Sequence, residues 1–238
     1  MIWFSVRSLF TRYGWAFIRY IALPHPFRTI RAFSRARRIT KEKSGSVSVV
    51  GGSAALPHRG GEIVGAGFCL KPTETRCPSK SDLHGCRYLE TCRFQSETKR
   101  PAVCANCYIA SIGAAALQDG RAFYVMTSAY DILFDVFKPA LEKGTFRHGI
   151  FMLCRYSFKP FATGMLAAGI DGKLAAFCDG DCRDYKTWLK ADNGIKKEQT
   201  VLDGQTRTEL EKEITGDTGG AKRVTKAERR GNIYYPVC

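Results

Sequence analysis

Ten cysteines carry most of the chemistry this chain could perform: Cys69, Cys77, Cys86, Cys92, Cys104, Cys107, Cys154, Cys178, Cys182 and Cys238. Cys104 and Cys107 form a Cys-x-x-Cys pair, and Cys178 and Cys182 a Cys-x-x-x-Cys pair. Thiolates at such spacings ligate soft metals. Disulfides need an oxidising compartment, and nothing in the sequence directs secretion. Buried inert thiols explain one or two of the ten, Cys154 among them, but not the clustering. Zinc and iron–sulfur clusters both accept four thiolates. No histidine has zinc-finger spacing to the cysteines, His84 being the one among them, and Cys77-Pro78 matches the end of the bacterial ferredoxin run. The expected cofactor is therefore an iron–sulfur cluster, [4Fe–4S] by preference, with zinc as the alternative.

The elements that must position these thiols follow from periodicity. Ala105–Gln118 reads as an alanine-rich helix ending near Gly120, and Ala122–Met126 as a buried strand. Ser128 with Asp131 resembles a capping box ahead of a helix carrying Ile132, Leu133, Val136 and Phe137. Gly149–Leu153 and Leu174–Phe177 read as two further strands, and Cys182–Ala191 as a helix with Trp188 and Leu189 inward. Strands alternating with helices predict an α/β fold: a small three-layer parallel sheet, with a cysteine-rich irregular segment and N-terminal amphipathic helices.

In such a sheet, ligands gather at the carboxyl ends of the strands. Cys154 and Cys178 follow two of the predicted strands, while Cys104 and Cys107 open a helix whose N-terminus lies at the same edge. The helix dipole there favours thiolate over thiol. The expected ligands are Cys77, Cys104, Cys107, Cys178 and Cys182, with Cys69, Cys86, Cys92 and Cys154 in reserve. Cys238, at the extreme terminus, is expected to be dispensable. Asp179, Asp181 and Asp184 flank the later pair and read first as loop and cap residues, and His148 and His84 as surface residues.

Four segments are expected: 1–39, basic amphipathic helices; 40–68, a Ser- and Gly-rich linker; 69–200, a cysteine-rich α/β metal domain; and 201–238, a polar flexible tail. Gly65-Ala66-Gly67 lacks the third glycine and following helix of a dinucleotide loop, so it reads as linker.

The formal net charge of +15 is concentrated at one end. Residues 1–43 carry Arg7, Arg12, Arg19, Arg28, Arg31, Arg35, Arg37, Arg38, Lys41 and Lys43 against the single acid Glu42. Arg7, Arg12 and Arg19 interrupt the apolar stretch 2–23, each costing about 2.5–3.5 kcal/mol near a bilayer centre, which argues against a spanning helix. Trp3, Val6, Phe10, Tyr13, Phe17 and Tyr20 recur at helical spacing opposite Ser5, Ser8, Arg12 and Arg19, a pattern suited to a helix lying in the membrane interface. After Pro24 and Pro26, Arg28, Arg31, Arg35 and Arg38 form a basic stripe for anionic headgroups. Trp3, Phe10, Phe17 and these four arginines are the expected membrane contacts. The competing readings are packing on the chain's own core or on a partner subunit, and, less favoured, nucleic acid.

Cys69-Leu70-Lys71-Pro72, Cys77-Pro78, Cys104-Ala105-Asn106-Cys107 before a helix, Cys154 after a strand, and Asp181-Cys182-Arg183-Asp184-Tyr185 together resemble an uncharacterised cysteine-rich prokaryotic family, domain of unknown function one hundred and sixteen. The resemblance spans about residues 65–195. It implies a metal or iron–sulfur protein and supplies no established reaction.

No Ser-His-Asp order, P-loop, metalloprotease helix or radical-enzyme Cys-x-x-x-Cys-x-x-Cys occurs. The expectation is a membrane-associated iron–sulfur protein on the cytoplasmic side, in a reducing compartment, transferring electrons to a redox partner or serving within a complex. A zinc-stabilised module binding nucleic acid or protein, or a cluster- or thiolate-dependent enzyme, is the alternative.

Overall fold

The computed structural model describes residues 11–39, 47–52, 61–72, 104, 106–196, 198–215 and 226–237. The chain begins with α1 (Arg12–Phe17), capped by the Thr11 hydroxyl and continued by a π-helical turn over Ile18–Ala22, then α2 (Pro26–Arg38). Strands β1 (Val47–Val50) and β2 (Glu62–Gly67) follow. Next come α3 (Tyr108–Gln118), β3 (Ala122–Met126) and α4 (Ala129–Ile132), which passes through a π turn into α5 (Lys138–Lys143). The order then runs β4 (His148–Leu153), α6 (Phe158–Ala168), β5 (Asp171–Ala176), α7 (Tyr185–Asp192), α8 (Gly204–Thr215), β6 (Lys226–Arg230) and β7 (Ile233–Val237).

The seven strands form one sheet in the order β1-β5-β4-β2-β3-β7-β6. The central four are parallel, and β1, β7 and β6 are antiparallel additions at the two sides. Alternation along the strands divides the core in two. Val64, Ala66, Phe123, Val125, Ile150 and Met152 face α3, α7 and α8. Ile63, Tyr124, Met126, Phe151, Leu153 and Leu174 face α1, α2, α5 and α6. The expected α/β fold with three layers is what the chain adopts.

Two segment boundaries are corrected. The 40–68 stretch is not a linker, since it holds β1 and the central strand β2, whose six residues are all buried. Its glycines are packing sites: a Cβ on Gly65 or on Gly149 would stand 2.3 Å from the Phe151 ring, which lies flat across both strands. Glycine lowered the apparent strand propensity while making that close approach possible. Nor do the described residues 201–215 and 226–237 form a flexible tail. Leu210 and Ile214 of α8 are buried, and the β6–β7 hairpin pairs through Tyr234 and Ile233 with Phe123 and Tyr124. Three buried residues in one helix, Thr206, Leu210 and Ile214, and a short hairpin are too few to outweigh the charged composition in a sequence window.

The N-terminal arm differs from expectation as well. Tyr13, Phe17 and Tyr20 pack against the α/β body, with Tyr20 edge-on to Phe134 at 5.2 Å between ring centres. The face of Tyr13, Phe17 and Tyr20 is therefore largely turned to protein, with Phe17 half-buried. Trp3 and Phe10 lie outside the described residues. Arg28, Arg31, Arg35 and Arg38 are all exposed, as the basic stripe requires. Ala32 and Ala36, buried on a face about 100° round the helix from that stripe, let α2 lie close on α6. No helix among the described residues is long and apolar enough to cross a membrane.

Candidate metal centre at the carboxyl edge

Parallel strands β2, β4 and β5 end at the same edge, and each is followed by a cysteine. Cys69 sits in a 3-10 turn (Phe68–Leu70) directly after β2. Cys154 follows β4, and Cys182 lies in the loop between β5 and α7. The three sulfurs make a chain of contacts. The Cys182 backbone N–H donates to the Cys154 sulfur at 3.4 Å. The Cys182 thiol donates to Cys154, and the Cys154 thiol to Cys69.

This chain ranks the protons. The hydrogen bond from Cys154 holds the Cys69 thiol below its usual range against the effect of burial, with help from Thr200 and the Lys196 charge. For Cys154, the bond from Cys182 favours thiolate, but the bond it gives to Cys69, its burial and the Cys69 charge outweigh this and push the thiol up. Cys182 is pushed up by donating to Cys154 and by burial. Of the three thiols, Cys69 is thus the one most readily deprotonated, because the row of hydrogen bonds ends on it.

Lys196 and the 199–201 strip complete the edge. The Lys196 ammonium donates to the Gly180 carbonyl and stands 4.0 Å from the Cys182 sulfur. The Thr200 N–H donates to the Cys69 carbonyl at 2.8 Å, and the Gln199 amide to that of Leu70 at 3.2 Å. Cys178 lies on the same edge, its N–H and thiol both donating to the Val201 carbonyl, at 2.8 and 3.2 Å. Below the sulfurs, Arg155 clamps the buried Asp181 carboxylate with two bonds, Nε to Oδ2 at 2.9 Å and Nη2 to Oδ1 at 3.1 Å. That pair fixes the loop carrying Cys182 to the turn that follows Cys154.

The three thiols form part of the wall of a cavity of about 110 Å³. Phe68, Leu153, Phe161, Phe177 and Trp188 make its apolar sides, and Tyr13 of α1, Ser128 and Asp192 also line it. Asp192 accepts the Ala129 N–H at 2.6 Å, and Ser128 caps α4 while donating to Asp131 at 2.7 Å, so this side is rigid. The Ser128–Asp131 cap is the one the sequence predicts.

Three sulfur donors beside an apolar cavity suit a soft metal or an iron–sulfur cluster in donor chemistry. Among the described residues no three Cys, His, Asp or Glu side chains converge on a single metal-holding point, so the trio by itself is not a complete centre. Cys107 is buried at the N-cap of α3, the helix that runs back from the carboxyl edge, and Cys104 precedes it by one turn. Cys77, Cys86, Cys92 and Cys238 lie outside the described residues.

Sequence reasoning places Cys69 behind the paired cysteines because the strand before it reads as linker, and Cys154 because a lone thiol after a strand also suits an inert buried side chain. Lys196, Thr200 and the Arg155–Asp181 clamp carried no motif that could have singled them out. Asp184, read as a cap, does cap α7, accepting the Thr187 N–H at 2.8 Å. No family model, curated protein or solved structure matches the chain.

Proposed function

We propose that the chain is a membrane-associated iron–sulfur protein, peripheral on the cytoplasmic side, that passes electrons to a redox partner or serves within a redox complex. The observation that carries this reading is the contact of Cys69, Cys154 and Cys182 from three separate strand ends at the wall of one cavity. Thiols in contact from such distant sequence positions, with further cysteines on the same edge, suit a shared soft ligand better than three inert side chains. Further thiolates would come from Cys104, Cys107 and Cys178 on the same edge, or from Cys77, Cys86 and Cys92. A bound cluster supplies one-electron transfer. The chain's own part is to hold the thiolates and to keep water out with Phe68, Phe161, Phe177 and Trp188, while Lys196 offsets negative charge on the sulfurs.

Anaerobic purification with iron, zinc and acid-labile sulfide analysis and a visible spectrum tests it. A brown protein that dithionite bleaches is the expected result. Stoichiometric zinc without visible absorption replaces the proposal with a zinc-stabilised binding module.

A further inference from the structure

The arm that packs its expected lipid face inward presents another face outward. Trp15, Leu23, Phe27 and Ile30 are 68%, 71%, 80% and 63% exposed. They are large apolar side chains on α1, at the Leu23–Pro26 turn and along the outer side of α2. At 100° per residue Phe27 and Ile30 stand opposite Ala32 and Ala36, the residues buried against α6. Seven arginines share residues 11–39 with them, Arg12, Arg19, Arg28, Arg31, Arg35, Arg37 and Arg38, and that stretch holds no acid. Among the described residues none of the seven meets a carboxylate within salt-bridge distance. Arg12 and Arg37 lie instead over the rings of Tyr130 and Phe33, at 4.8 and 5.4 Å.

Scattered exposed apolar residues mean little, but four large ones on one helical hairpin mark an interaction surface. The charge selects the partner. A protein partner's apolar patch would leave the guanidiniums unanswered, and nucleic acid would leave Leu23, Phe27 and Ile30 in water. An anionic bilayer answers both, taking the side chains among the acyl chains and the arginines among the headgroups.

We infer that the α1–α2 hairpin is the membrane-docking element and that it enters the interface through Trp15, Leu23, Phe27 and Ile30, flanked by Arg19, Arg31 and Arg38. This rests on the membrane association proposed above and names the surface and the lipid class that association uses. The electrostatic part weakens as salt rises, and the buried apolar part persists.

The test uses the full chain with vesicles of phosphatidylcholine, with and without phosphatidylserine. The expected result is binding to anionic vesicles, with a blue shift of Trp15 fluorescence in a W3F/W188F background. The variant Trp15→Ser/Leu23→Ser/Phe27→Ser should bind about tenfold more weakly with unchanged thermal unfolding. Arg19→Gln/Arg31→Gln/Arg38→Gln should flatten the salt dependence. Undiminished binding by the serine variant, or no change in Trp15 emission, overturns the assigned surface while membrane association stands. Failure of the parent chain to bind either vesicle overturns both. Binding of duplex DNA with a steep salt slope in place of vesicles makes the hairpin a nucleic-acid clamp.

Discussion

The Cys154 sulfur accepts the backbone N–H of Cys182 at 3.4 Å, joining the ends of β4 and β5 through a thiol. A backbone amide aimed at sulfur favours its thiolate form. The arrangement places the middle sulfur of the row where a ligand anion is already partly answered.

Serine at Cys154 removes the only sulfur that touches both of the others in the trio. Metal content per chain should fall below half in Cys154→Ser, as in Cys69→Ser, Cys182→Ser, Cys104→Ser and Cys107→Ser, while Cys238→Ser should keep its metal. Elemental analysis of anaerobically purified variants checks this. A fully loaded Cys154→Ser protein would show that the trio is not the centre.

Asp181 is 5% exposed at its side chain and depends on Arg155 for both of its oxygens. Arg155→Met should leave an unpaired buried carboxylate and cost about 1–3 kcal/mol. The double variant Arg155→Met/Asp181→Asn should recover part of that loss, because no charge then remains buried. Urea denaturation of the parent, Arg155→Met, Asp181→Asn and the double variant measures the coupling.

Gly65→Ala should destabilise the domain by about 1–3 kcal/mol, since the new methyl would meet the Phe151 ring at 2.3 Å. Phe151→Leu on the same background should restore part of the stability. If Gly65→Ala unfolds at the parent's temperature, the ring does not lie across the two strands.

Burial, together with the nearby Asp135 and Asp131 charges, holds the Tyr124 phenol far above its ordinary value, and its hydroxyl donates to Asp135 at 3.1 Å. Above about pH 10 the unfolded chain sheds that proton and the native state keeps it. Stability therefore falls as pH rises. Tyr124→Phe should lose about 1 kcal/mol at neutral pH with the hydrogen bond, and its stability should decline less steeply between pH 10 and 11. Equal slopes for the two proteins would contradict the burial.

Removing residues 216–238 should expose the β3 edge and uncover Ile233's and Tyr234's partners in the core. A lowered unfolding temperature with aggregation is expected. A truncated chain as soluble and stable as the parent would restore the reading of this stretch as a tail.

Ala122–Met126 was legible to the residue because an unbroken apolar run between turn signals can only be a buried strand here. The Ser128 cap was legible for a similar reason, since its bonding partners lie three residues away. β2 was not, because Gly65 and Gly67 are chosen by Phe151 and by the turn to Cys69, contacts set by distant chain. The carboxyl edge as the meeting place of thiols followed from topology alone. Which thiols touch did not, because that depended on the missed strand. The helical arm was read correctly in period and wrongly in orientation: two faces of α1 carry aromatics, and only packing decides which one turns inward.

Tyr13 belongs to the arm and also to the cavity wall beside the sulfurs. An arm that supplies part of the wall of the cavity beside the thiols behaves as a gasket. Cutting it away should open that wall. It would breach the seal, letting water and dissolved oxygen reach Cys69 and its neighbours, so a shortened chain should tarnish in air faster than the whole one.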